Sequence, residues 1–140
     1  MNHQKDLELL RRAIVLSQEA RDAGNTPFGA LLADSDGNII MEQGNQELTS
    51  HDCTMHAETG LMRRASQAFT KEVLWDCSLY TSAEPCCMCA GAIYWGNVGR
   101  IVYAMSEKML LAATGDNEVN PTFDLNCREV LSKGQKPIVV

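Results

Sequence analysis

Residues 77–89, Cys77-Ser78-Leu79-Tyr80-Thr81-Ser82-Ala83-Glu84-Pro85-Cys86-Cys87-Met88-Cys89, read as a strand that runs into a helix. Cys77 to Ser82 supplies the strand, and Pro85 opens the helix at a position where its missing N–H costs nothing. That helix ends near Gly96, and Arg100 to Ala104 forms the next strand. Upstream, Leu7, Leu10, Ala13, Ile14 and Ser17 recur at helical spacing, so residues 6–23 read as an amphipathic helix stopped by Gly24-Asn25 before Pro27. Phe28 to Ala33 and Ile39 to Gln43 flank the turn cluster Asp34-Ser35-Asp36-Gly37-Asn38 and make a β-hairpin. A polar loop from Gly44 to Cys53 leads to a helix over Thr54 to Ala68, with Thr54 as its N-cap. Downstream come helices at Lys108 to Ala113 and Asp124 to Ser132, then an edge strand at Ile138 to Val140. Helices alternating with strands imply a partly parallel sheet covered on both faces. The expected fold is therefore α/β, a three-layer α/β/α sandwich around a mixed five-stranded sheet. Sites in such sheets lie at the carboxyl ends of strands, beside the helix N-termini that follow.

The chain has 140 residues, 45% of them hydrophobic, which suits one domain over residues 1–140 with a sizeable core. No apolar run approaches the roughly 18 to 20 residues of a bilayer span. Met1 to Arg12 is polar and charged, unlike a secretory signal, so the expected location is the cytoplasm. Lys plus Arg is 12 against 18 Asp plus Glu, a net charge of −6. That balance disfavours a nucleic-acid partner, which gains affinity by neutralising phosphates. The longest basic clusters, Arg11-Arg12 and Arg63-Arg64, read as solvated helix faces. Six cysteines in a chain of this type are expected to be reduced, and so are candidates for metal ligation or catalysis.

Two motifs carry the chemistry: His56-Ala57-Glu58 at the start of one helix and Pro85-Cys86-Cys87-Met88-Cys89 at the start of another. Cys86 and Cys89 stand three residues apart, so both sulfurs can reach one ion, and a helix N-terminus stabilises thiolates. A neutral His56 imidazole adds a third ligand suited to Zn²⁺. Three protein ligands leave one tetrahedral position open, the mark of a catalytic zinc, and the expectation is one zinc per chain. Glu58 converges with His56 only over the open helix end, where a carboxylate can take and return a proton as general acid/base. A non-catalytic zinc module would need a fourth protein ligand, and neither Cys87 nor Cys53 has suitable spacing. Cys87 reads as a small packed residue, Cys53, Cys77 and Cys127 as buried thiols, His3 as solvated and His51 as a loop histidine.

With these residues in view, the chain resembles the zinc-dependent cytidine/deoxycytidylate and purine deaminase superfamily. His56-Ala57-Glu58 with Pro85-Cys86-x-x-Cys89 looks like its signature. Pro27-Phe28-Gly29-Ala30, Asn45 through Thr54, Leu79 to Pro85 and Gly91-Ala92-Ile93-Tyr94-Trp95 look most like bacterial guanine deaminases. The tRNA-specific adenosine deaminases are similar through the same core. The resemblance implies hydrolytic deamination of a small-molecule purine or related amino-heterocycle, guanine first, with adenosine in tRNA or a cytosine-type substrate as alternatives. It also implies substrate contacts from Asn45, Phe28 and Trp95, and a homodimer. Beyond Ala104 no stretch aligns; Asp116 and Asn117 lie near the place where guanine deaminases close their pocket.

Overall fold

A computed structural model describes residues 2–115, 117–118 and 120–140; Asp116 lies outside the described residues. Strand β1 (Gly29–Ala33) pairs antiparallel with β2 (Ile39–Gly44) as the expected hairpin. In its turn the Asp34 carboxylate accepts the N–H groups of Asp36 and Asn38 at 3.0 and 2.9 Å, and Gly37 takes a φ of 86°. β1 also pairs antiparallel with β3 (Ser78–Ala83), and β3 pairs parallel with β4 (Arg100–Met105), giving the order β2-β1-β3-β4. The sheet thus has four strands among the described residues and not five. Ile138 to Val140 is reduced to one parallel bridge between Val139 and Arg100. The reason is local: Pro137 has no N–H, and Ile138 donates its own to the Lys136 carbonyl at 2.9 Å, so only Val139 pairs.

All five residues of β1 are buried, and they alternate between two cores. Leu31 and Ala33 join Leu9, Ala13, Leu16 and Tyr80 beneath α1 (His3–Asp22). Ala30 and Leu32 face the other way, with Leu61, Leu79, Ile93 and Ile101. Helices α2 (Ala57–Ala68) and α4 (Cys87–Gly96) cover that second face, so the three layers follow from the strand's period of two. Gly29 sets the spacing of the first layer: a Cβ there would fall 2.6 Å from the Ala13 carbonyl oxygen and the Ser17 nitrogen. Asp6 of α1 then clamps the layer to the sheet, taking Arg100 Nη2 at 2.6 Å and Nη1 at 3.0 Å and the Tyr80 hydroxyl at 2.6 Å.

The remaining helices are short. α3 (Lys71–Trp75), which the apolar pattern was too brief to reveal, is capped by the Thr70 hydroxyl; α5 (Glu107–Thr114) and α6 (Cys127–Ser132) follow β4. α6 begins three residues later than Asp124, because Asn126 provides the N-cap and accepts the Glu129 N–H at 2.8 Å. Both motif helices also start later than the sequence suggests. Thr54 is not a cap: its N–H and hydroxyl both go to Asp52 Oδ1, at 2.9 and 2.6 Å, in a turn. Pro85 is likewise outside α4, whose N-cap is Cys86, and Asn97 ends that helix in the left-handed conformation at φ 71°. Register brings Gly29 opposite Gly44, Ala30 opposite Thr81 and Ala83 opposite Met105. The chain therefore enters β1 and leaves β2, β3 and β4 at one end of the sheet.

Candidate metal centre

His56 occupies the N-cap of α2 and Cys86 the N-cap of α4, both with extended backbone and neither with a side-chain capping bond. The side chains that would ordinarily cap these helices are instead turned toward each other across the helix ends. His56 Nδ1 lies 3.6 Å from Cys86 Sγ and 3.7 Å from Cys89 Sγ. Bonds of about 2.0–2.1 Å to nitrogen and about 2.3 Å to sulfur, at a tetrahedral angle, give an N···S separation of about 3.6 Å, so the spacing fits Zn²⁺. The three donor atoms all lie within 4.8 Å of one another. Around them, the Thr59 hydroxyl donates to Cys89 Sγ at 3.1 Å, and Glu47 Oε2 stands 3.9 Å from His56 Nε2. Such partners orient ligands and tune a metal. Without a metal, the hydrogen bond from Cys89 and the imidazole beside it hold the Cys86 thiol well below the ordinary range, while Cys86 pushes Cys89 up.

Glu58 sits two residues after His56 at the start of α2, 6% exposed, its carboxyl pushed up to about 7 by burial and by the nearby Cys86 charge. It faces a cavity of about 290 Å³, whose wall also includes His56, Cys86, Phe28 and Asn45. Phe28 stands half-buried between this cavity and the core. Asn45 is 2% exposed; its Oδ1 accepts the Glu47 N–H at 2.9 Å, and no protein group takes its Nδ2 among the described residues. Asn45 is thus a turn residue and a cavity residue at once. Trp95 is not in this wall. It is 74% exposed at the end of α4, edge-on to Tyr94 and near Lys136, because its place in the helix points away from the N-terminal end where the cavity opens.

The thiols divide differently from the sequence expectation. Cys77 and Cys127 are buried, but Cys53 is exposed, and both Cys53 and the half-buried Cys87 line the cavity. His51 is an exposed loop residue at φ 50°. Sequence reasoning also missed three carboxylates of the wall, Glu47, Glu84 and Glu107. Glu84 bridges two helix starts: its Oε1 accepts the Glu107 N–H at 3.0 Å and its Oε2 the Cys127 N–H at 2.6 Å. The position of Glu84 beside Pro85 was the available signal, but its partners lie 23 and 43 residues away. Thr26 was missed as well; it lines the cavity, and its Oγ1 is buried without a partner among the described residues.

Residues 3–105 match the family described as the cytidine and deoxycytidylate deaminase zinc-binding region, and the chain belongs to that family. It is 40% identical to a probable cytosine deaminase of Schizosaccharomyces pombe over 137 residues, 98% of this chain and 83% of that protein. Guanine deaminase of Bacillus subtilis is 46% identical over 105 residues, 74% of this chain and 65% of the relative. The X-ray structure of guanine deaminase from that organism superposes with a TM-score of 0.69 at 36% identity, covering 94% of this chain and 90% of the other. A tRNA-specific adenosine deaminase of Haemophilus influenzae is 36% identical over 102 residues, 73% of this chain and 59% of its own length. The protein is a zinc-binding hydrolytic deaminase with the α/β fold of these enzymes.

Proposed function

We propose that the protein deaminates an uncharged amino-heterocycle, guanine first, to the corresponding oxo-heterocycle and ammonia. The observation that carries this is the buried Glu58 carboxyl facing the same small cavity as the three candidate zinc ligands. His56, Cys86 and Cys89 would hold the zinc, which supplies a water of lowered pKa to the reaction. Glu58 would take one proton from the attacking water and pass it to a ring nitrogen, then take the second proton from the added hydroxyl and pass it to the departing amine, which leaves as ammonia. Asn45 offers its Nδ2 to a ring acceptor, with its amide fixed by the Glu47 N–H. Phe28 stacks against the ring and excludes water from it. A cavity of about 290 Å³ suits a single heterocycle better than a drug-sized ligand.

Guanine deaminase of Bacillus subtilis supports the purine, through 46% identity over 105 residues, 74% of this chain. The second reading, a cytosine-type base, is favoured by the Schizosaccharomyces pombe relative, whose match extends over 98% of this chain. A tRNA substrate is disfavoured by the net charge of −6. No described helix is long and apolar enough to cross a membrane, and a cytoplasmic location is part of the same proposal. So is a homodimer, for which the exposed Trp95 offers a fluorescence reporter of concentration-dependent burial.

The test is ammonia release from guanine, cytosine, adenine, their nucleosides and a tRNA anticodon stem-loop. Release from guanine, with rates that barely change between about 50 and 200 mM salt, is expected. Release from the stem-loop alone overturns the proposal, and release from cytosine alone promotes the second reading.

A further inference from the structure

We propose that Glu107 is the specificity-determining residue of this cavity, its carboxylate accepting a hydrogen bond from an N–H or NH₂ edge of the uncharged heterocycle. Glu107 deepens the deaminase function proposed above, on which it rests. It is the first residue of α5, 6% exposed, and lines the cavity that Glu58 faces. No described side chain or backbone N–H donates to its carboxylate. The Glu107 oxygens are not among the sealed, unpartnered polar atoms of the described residues, so they open on the cavity, where a donor on a ligand can reach them.

Its placement is deliberate in another respect. The Glu107 N–H is held at 3.0 Å by Glu84, two residues before the candidate ligand Cys86. The backbone of Glu107 is thereby tied to the metal-binding turn, while its side chain is left free for the cavity. The wall contains Glu47, Glu58, Glu84 and Glu107 and, among the described residues, neither Lys nor Arg. A phosphate brought into this cavity would meet four carboxylates with neither Lys nor Arg to pair it, the zinc that His56, Cys86 and Cys89 would hold being the one cation, whereas the donor edge of a free base meets an acceptor. The chemical class selected is an uncharged base bearing at least two N–H donors, with phosphorylated nucleotides rejected.

The experiment compares the zinc-loaded wild type with Glu107→Gln and Glu107→Ala. Binding of guanine, cytosine and their 5′-monophosphates is measured by calorimetry, alongside kcat and KM for whichever base is turned over. The wild type should bind a base and bind its monophosphate at least about 10-fold more weakly. Both variants should lose about 10- to 100-fold in base affinity, the worth of a hydrogen bond to a charged group, with the loss appearing in KM more than in kcat. Zinc content should be unchanged, and Glu107→Gln should unfold at the wild-type temperature or above it, which a structural role would not allow. Base binding lost in both variants by a wild type that releases no ammonia keeps the Glu107 contact and sinks the deaminase function. Wild-type base affinity and KM in both variants, or a wild type that binds neither base, overturns the assignment of Glu107.

Discussion

The two sides of the cavity are held by opposite means. His56, Glu58, Cys86 and Cys89 stand at the starts of α2 and α4, helices whose Ala57, Leu61, Ala90 and Ile93 are fully buried against the sheet. Across from them, α5 buries Glu107 alone; Met109 is 59% exposed, and Phe123, further along, is 60% exposed. Apolar burial of the kind that fixes α2 and α4 contributes about 25 cal/mol per Å², and α5 has little of it. What holds the second side is the Glu84 carboxylate, which takes one N–H from the start of α5 and one from the start of α6. The difference teaches that the chemistry of the site is anchored in the core, whereas its covering segment is tethered by charge-assisted hydrogen bonds. Segments of that kind open at lower free energy than a core does.

Removing a ligand from the anchored side should have the largest effect. Cys86→Ala and Cys89→Ala are expected to lose most of the bound zinc and all measurable turnover, with metal content read by elemental analysis; full metallation of both variants would remove the centre from this side of the cavity. Glu58→Gln comes next. It should retain zinc and fold while turnover falls about 10²- to 10⁴-fold, the usual contribution of a positioned acid/base. Loss of zinc together with activity would make Glu58 a ligand and close the open position.

The tether should show a smaller and more local effect. Glu84→Gln turns an amide N–H₂ toward one of the two backbone donors, so one bond is lost and two donors face each other. Amide exchange should quicken across α5 and α6 but not across α2 or β3, and kcat/KM should fall about 10-fold, the worth of about 1.4 kcal/mol. Unaltered exchange in α5 and α6 would break the contrast between the two sides.

Asp6→Asn, far from the cavity, should leave turnover unchanged while lowering stability by about 1–3 kcal/mol, measured in urea. The hydrogen bond from Arg100 chiefly holds the Asp6 carboxyl below its ordinary 3.8, despite burial acting the other way. Its folded value is depressed, so its stabilisation is fully present above the unfolded value. The stabilisation is lost as pH falls through the folded one. The wild type should therefore lose its advantage over Asp6→Asn only below about pH 4.

The hairpin, the β3-α4-β4 unit and α1 were legible because each is a long periodic segment or a turn with its own chemistry. The candidate ligands and Glu58 were legible because two constraints are local: His56 and Glu58 share one helix end, and Cys86 and Cys89 share another. Boundaries were less so. Thr54 and Pro85 look like helix starts, yet Asp52 captures Thr54 in a turn and Cys86 takes the N-cap after Pro85. The fifth strand failed on the hydrogen bonds of three residues, Pro137 to Val139. Trp95 follows the right motif, yet its position on α4 directs it to the surface and outside the cavity wall of its own chain.

By itself the sequence determined the layers, the two motifs and the zinc chemistry that their donor atoms permit, since strand period, helix ends and ligand spacing are short-range properties. Only the tertiary structure decided which carboxylates share the cavity. Glu84 meets the start of α6 from 43 residues away, and Glu107 reaches the Glu58 cavity only because β3 and β4 run parallel and end together. No local pattern encodes that convergence; it arises when packing of the sheet brings four separate chain crossings to one end.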